Sequence, residues 1–158
     1  MPKLDSIDLS ILRELQRDAS RSIEQIAAEV GLTQNPCWRR IKRLEAEGVI
    51  ERRVALVDPA ALGLGLTVFV SVRTNQHTDA WLARFAKGVR AIPEVVELYR
   101  MSGEIDYLMK IVARDVADYD RIYKRLIRVA DLYDVSSSFA MERIKSTTEL
   151  PLGPELGA

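Results

Sequence analysis

The chain has 158 residues, 47% of them hydrophobic, and its 23 Lys and Arg balance 23 Asp and Glu. That hydrophobic share excludes disorder as the main state and allows one ordinary domain or two small ones, while zero net charge means that any nucleic-acid role must rest on local clusters of cations. No apolar run approaches the roughly 18–20 residues of a membrane span, the N-terminus lacks a signal peptide's apolar stretch, and the single cysteine, Cys37, leaves no internal disulfide and no cysteine-based zinc cage; a cytoplasmic protein with no membrane partner and no cofactor is expected.

The first element is a helix over residues 5–19, with Ile7, Ile11, Leu12 and Leu15 at helical spacing. Asp5 is placed to cap it, and Asp8 in its first turn suits the positive end of the helix dipole. Ser22-Ile23-Glu24-Gln25 reads as a capping box opening a second helix that Gly31 ends. Only Gly31 and Leu32 precede Thr33, the cap expected for a third helix running to Glu47. Such tight spacing predicts a helix-turn-helix.

On the third helix Cys37, Ile41 and Leu44 share one face at i, i+4 and i+7. At about 100° per residue, Asn35, Arg39, Lys42 and Arg43 take the opposite face, with Trp38 and Arg40 on the flanks. No acid interrupts residues 38–44. Gly48 stops the helix, and residues 49–57 read as a strand or hairpin, the wing of a winged helix. Residues 58–63, Asp-Pro-Ala-Ala-Leu-Gly, mark a domain boundary.

The remainder alternates strand and helix. Strands are expected at 66–73, 95–101, 105–113 and 135–144; helices at 79–91, capped by Thr78, and 115–130, opened by Asp115. The order βαββαβ predicts a split-βαβ, ferredoxin-like sheet. The class is therefore α+β, divided into a winged helix-turn-helix domain at 1–60, a ferredoxin-like domain at 61–150 and a tail at 151–158, with residues 145–158 expected to form a weakly ordered tail or arm.

Two motifs carry a family resemblance. The run Asn35-Pro36-Cys37-Trp38-Arg39-Arg40-Ile41-Lys42-Arg43-Leu44-Glu45 followed by Gly48-Val49-Ile50, and the loop Ser102-Gly103-Glu104-Ile105-Asp106-Tyr107, resemble the two halves of the Lrp/AsnC (feast/famine) transcriptional regulators. They fall in the family's order, and the likeness spans about residues 4–150. The form of the third helix further resembles a subgroup that includes regulators of cysteine catabolism. The resemblance implies a winged-helix DNA reader joined to a ferredoxin-like amino-acid sensor. It also implies homodimers that assemble into tetramers or octamers, and an amino-acid effector held near the Gly-acid-x-Asp-Tyr loop at the contact between dimers. Acting on amino-acid metabolism, such a regulator is nucleoid-associated when bound to DNA.

DNA recognition needs cations for phosphates and planar polar groups for base edges. Arg39 and Arg43 can offer bidentate donors to guanine; Gln34 and Asn35, beside Thr33 at the helix start, can pair with adenine. Arg40, Lys42, Arg52 and Arg53 suit phosphates, and Trp38 either packs over the turn or touches a sugar. For the effector, the N–H groups of the Ser102-Gly103-Glu104 turn suit a carboxylate, and Asp106 or Glu104 suits an ammonium. Tyr107 belongs to the same motif, and Ser136, Ser137 and Ser138 can complete the site, here or in a neighbouring dimer. The effector's side chain, the operator and the sign of regulation stay open.

Cys37 admits a redox-sensor reading beside that of a small core residue. His77 sits in a polar loop without a ligand or triad partner nearby and reads as a surface residue. Two rival functions share the architecture: a sirohaem-decarboxylase-like enzyme, which needs more histidines than one, and a sensor that no longer binds DNA.

Overall fold

The computed structural model describes residues 3–153, so the last part of the expected tail, 154–158, lies outside the described residues. Two units emerge. One comprises residues 3–56 together with 145–153, and the other is Val57–Ile144. No helix among the described residues is long and apolar enough to cross a membrane.

The first unit is built on α1 (Ser6–Arg17), α2 (Ile23–Glu29) and α3 (Gln34–Ala46). Asp5 and Asp8 form a reciprocal capping box on α1, and Ser22 and Gln25 form another on α2, each satisfying N–H groups that a helix start leaves unpaired. Gly31 and Gly48 take φ of 71° and 72°, the left-handed conformation that lets the chain leave a helix sharply. Ile11, Leu12, Ile26, Ala27, Cys37, Ile41 and Leu44 make one core.

Two expectations about this unit are corrected. Residues 49–57 form no strand, so the described residues contain no wing: Val49 and Ile50 pack against the helical core, while Val54, Leu56 and Val57 are exposed. The C-terminal segment is docked instead of loosely ordered up to residue 153. Leu150 N–H donates to Gln16 Oε1 at 2.7 Å, Arg13 Nη2 donates to the Leu152 carbonyl at 2.7 Å, and Arg17 meets Glu149 at 3.5 Å. The Leu152 side chain packs on the helical core. Residues 145–150, expected in the second domain, thus belong with the first.

Truncation after Thr147 removes these bonds and a half-buried leucine. It is expected to destabilise the helical unit by about 1–3 kcal/mol. Urea unfolding followed at α1–α3 amides checks this, and an unchanged midpoint would reduce the segment to a passive tail.

In the second unit a single 3₁₀ turn (Ala60–Leu62) leads to β1 (Leu66–Arg73), α4 (Asp79–Arg90), β2 (Val95–Arg100), β3 (Tyr107–Ala113), α5 (Val116–Leu126) and β4 (Asp134–Phe139). The βαββαβ order holds, and the sheet runs β2-β3-β1-β4, antiparallel throughout. Period-two alternation in β1 and β3 sends Val68, Val70, Val72, Tyr107, Met109 and Ile111 to the helix side, where they pack with Trp81, Phe85, Val89, Ile122 and Leu126. The opposite face carries Phe69, Ser71, Tyr99, Leu108 and Lys110, and among the described residues of this unit α4 and α5 both pack on the other side. β4 ends at Phe139, five residues short of the expected strand.

Candidate functional site

The outward side of α3 carries the residues expected to meet DNA. Thr33, Gln34, Asn35, Trp38, Arg39, Lys42 and Arg43 are all exposed, whereas Cys37, Ile41 and Leu44 are sealed in the core. Thr33 occupies the N-cap position, yet its hydroxyl makes no capping bond and stays available beside Gln34 and Asn35. Cys37 is wholly buried. Burial pushes its thiol up, opposite to the activated thiolate that redox sensing needs. The core reading of this cysteine fits that environment.

The cations separate into two sets. Arg40 Nη1 donates to Asp5 Oδ2 at 2.7 Å and to Asp8 Oδ1 at 2.8 Å, while Arg43 Nη2 donates to Asp8 Oδ2 at 2.5 Å. Lys42 and Arg53 both pair with Glu45, at 2.7 and 3.0 Å. Among the described residues Arg39 and Arg52 have no ion-pair partner. The Asp8 N–H bond, with that from Arg40, holds the Asp5 carboxyl below its ordinary range, and the Asp5 and Asp8 carboxylates hold the Arg40 guanidinium above its own. The bond from Lys42, opposed by desolvation and helped by Arg53, keeps Glu45 low as well.

In the sequence Asp8 reads only as a first-turn acid suited to the helix dipole. Its second role had a signal: Asp8, Leu12 and Leu15 fall at i, i+4 and i+7, so the acid sits on the buried stripe of α1. A carboxylate placed there needs cationic partners.

The loop expected to hold the effector lies at one end of the sheet, between β2 and β3. Gly103 adopts φ of +117°, a backbone open to glycine and strained for other residues. Among the described residues the N–H groups of Ser102, Gly103 and Glu104 donate to no protein acceptor. Arg73 Nε donates to the Glu104 carbonyl at 2.8 Å. Asp106 is a staple: its Oδ2 accepts the Thr74 N–H at 2.8 Å, its N–H donates to the Val72 carbonyl, and its carbonyl accepts from Met101.

Three expectations shift here. Tyr107 is buried and packs on Phe85 and Trp81, with ring centroids 4.9 and 5.9 Å apart, so its ring is core and is not turned to a ligand. Ser137 lies opposite Val70 on the helix side, where its hydroxyl bonds that of Tyr119 at 2.5 Å. Ser136 and Ser138 face the other way, opposite Ser71 and Phe69. Since β1 separates β4 from β3, these serines stand about two strand spacings, roughly 10 Å, from the start of β3. One chain does not bring the loop and the serine run together.

A three-helix unit with an exposed cationic third helix, followed by an α+β unit of βαββαβ order, is the architecture of a helix-turn-helix transcriptional regulator with an appended ligand-binding domain. Residues 4–45 match the model of the AsnC-type helix-turn-helix domain, and residues 67–150 match that of the Lrp/AsnC ligand binding domain. The Escherichia coli K12 DNA-binding transcriptional activator DecR is 49% identical over 94% of this chain and 99% of its own. Among solved structures, an AsnC family transcriptional regulator from Agrobacterium tumefaciens superposes with a TM-score of 0.92 at 54% identity, covering 94% of this chain and 97% of that one. A Neisseria meningitidis transcriptional regulator in complex with L-Met does so with a TM-score of 0.90 at 34% identity, covering 95% and 97%. The chain belongs to the Lrp/AsnC family of DNA-binding transcriptional regulators. The matching family models and the curated relatives are those of transcriptional regulators, which favours that reading over the sirohaem-decarboxylase one.

Proposed function

We propose that this protein is an amino-acid-responsive regulator that binds a pseudo-palindromic operator as a homo-oligomer, dimer or higher, and controls genes of amino-acid metabolism. The observation that carries the effector half is the Ser102-Gly103-Glu104 turn, whose N–H groups have no protein acceptor among the described residues. An α-amino acid's carboxylate matches such donors. With Asp106 Oδ2 engaged by Thr74, the Glu104 carboxylate and the remaining Asp106 oxygen are the acceptors for the ammonium. The L-Met complex of the Neisseria relative supports the ligand class.

For DNA, the contacts are assigned to Thr33, Gln34, Asn35, Trp38, Arg39, Lys42, Arg52 and Arg53, with α3 in the major groove, while Arg40 and Arg43, expected from the sequence to join them, are engaged by Asp8. Two observations favour self-association. The sheet face opposite α4 and α5 exposes Phe69 and Tyr99, and the extended segment before the sheet exposes Val54, Leu56 and Val57. A second copy covers such surface, and brings its own Ser136 and Ser138 within reach of this copy's loop. Two α3 helices related by a two-fold axis then read two half-sites.

A thermal-shift screen of the twenty amino acids tests the effector reading. A ligand at 100 times its dissociation constant stabilises by about 2.7 kcal/mol, and Gly103→Trp is expected to erase that shift while DNA affinity persists. Stabilisation that survives in Gly103→Trp would place the ligand elsewhere.

A further inference from the structure

Asp8 makes contacts out of proportion to a capping residue. Its side chain is 1% exposed, and it accepts from Arg40, from Arg43 and from the Asp5 N–H at 3.1 Å. Asp5, Arg39, Arg40 and Arg43 line a cleft of about 290 Å³ on the outer side of α3. Two of the three arginines in that cleft are therefore already neutralised by α1, and one is not.

We propose that Asp8 is a specificity-determining residue: it acts as an internal counter-anion that withholds Arg40 and Arg43 from the phosphate backbone. The reason is an asymmetry of costs. A guanidinium that leaves Asp8 for a DNA phosphate trades one anion for another, but takes a charged partner from a carboxylate with almost no access to water. Breaking a buried pair by removing one partner costs much more than an exposed ion pair returns. Arg39 leaves nothing behind and binds phosphate or guanine freely. Non-specific affinity comes almost entirely from phosphate neutralisation, so two withheld arginines lower it directly. Base-edge contacts from Gln34, Asn35 and Arg39 lose nothing, and the ratio of specific to non-specific binding rises. The neutral overall charge of the chain is in keeping with such restraint.

The inference rests on α3 being the DNA-facing helix, and a salt titration separates the two. Binding of the full-length protein to a duplex of unrelated sequence is measured between about 50 and 200 mM salt, where each phosphate contact contributes about 0.9 to the slope of log affinity against log salt. Arg39→Gln is expected to flatten the slope by about 0.9; no change there removes the DNA-facing reading of α3 and the inference with it. Arg43→Gln is expected to leave the slope as it is, because that charge is not spent on phosphate. A loss of about 0.9 in Arg43→Gln overturns the proposal.

Asp8→Asn keeps the shape and the capping acceptor but removes the charge. It is expected to steepen the slope by about 0.9 and to raise non-specific affinity several-fold, because Arg43 is released while Asp5 still holds Arg40. Asp5→Asn removes the same charge at the same helix end and retains the cap, but leaves both arginines held by Asp8. Its slope should match the unaltered protein. An equal rise in Asp5→Asn would show a general field effect and defeat the assignment to Asp8. If Asp8→Asn does not fold, the Arg43→Gln result decides alone.

Discussion

Alanine at both Gln34 and Arg39 is expected to abolish sequence-specific binding to the region upstream of the protein's own gene while leaving the fold unchanged. Both side chains are exposed on the outward side of α3, and among the described residues neither bonds another side chain of the protein. A planar amide and a planar guanidinium there suit bidentate contact with adenine and guanine. Each such pair discriminates by about 1–3 kcal/mol, so losing two costs roughly 2–6 kcal/mol. That covers most of the margin separating specific from non-specific sites, which is about 4–10 kcal/mol. Footprinting against an equal concentration of the unaltered protein checks this, with hydrogen exchange in α1 and α2 as the folding control. Protection of the same bases by the double variant would take α3 out of the groove. Arg43, which the sequence alone ranks equal to Arg39, is the weaker choice of target, because Asp8 holds it.

That difference between two arginines on one helix face marks where sequence reasoning stops. Periodicity is local, and it separated the buried Cys37, Ile41 and Leu44 from the exposed side correctly. Capping chemistry is also local: Asp5 with Asp8, Ser22 with Gln25, and Thr78 before α4 all stand where their residue types require. The pairing of Asp8 with Arg43 joins residues 35 apart in sequence, and no local rule predicts which of several acids meets which of several cations. The serine run shows a different limit. Its three hydroxyls look alike in sequence, but a strand sends alternate side chains to opposite faces, and register decides that Ser137 faces Tyr119 while Ser136 and Ser138 do not. Tyr107 could have been assigned by the same alternation, since it shares its face with Met109 and Ile111. The docked segment at 149–152 was obscured by its proline and glycine, which signal a loop but say nothing about whether Leu152 finds a core.

Phe85→Ala is expected to have the largest effect on stability, and a selective one. Phe85 is completely buried, stacked on Trp81 with ring centroids 5.0 Å apart and tilted against Tyr107 at 4.9 Å. Truncating a buried phenylalanine removes its transfer energy and leaves a cavity, about 3–5 kcal/mol together, a large share of the 5–15 kcal/mol typical of a folded domain. Phe85→Leu fills most of that space and should lose much less. The damage has a direction. Tyr107 opens β3 and follows Asp106, whose carboxylate and backbone fasten the effector loop to Val72 and Thr74. When Tyr107 loses this aromatic contact, that fastening loosens first. The helical unit has a separate core around Ile11, Ile41 and Leu44, and it should keep its hydrogen-exchange protection. The expected phenotype is therefore a protein that retains non-specific DNA affinity but no longer answers to its effector. Exchange rates rising in α3 as much as in β1 and β3 would contradict this, and would mean that the helical unit depends on the sensor core for its own stability.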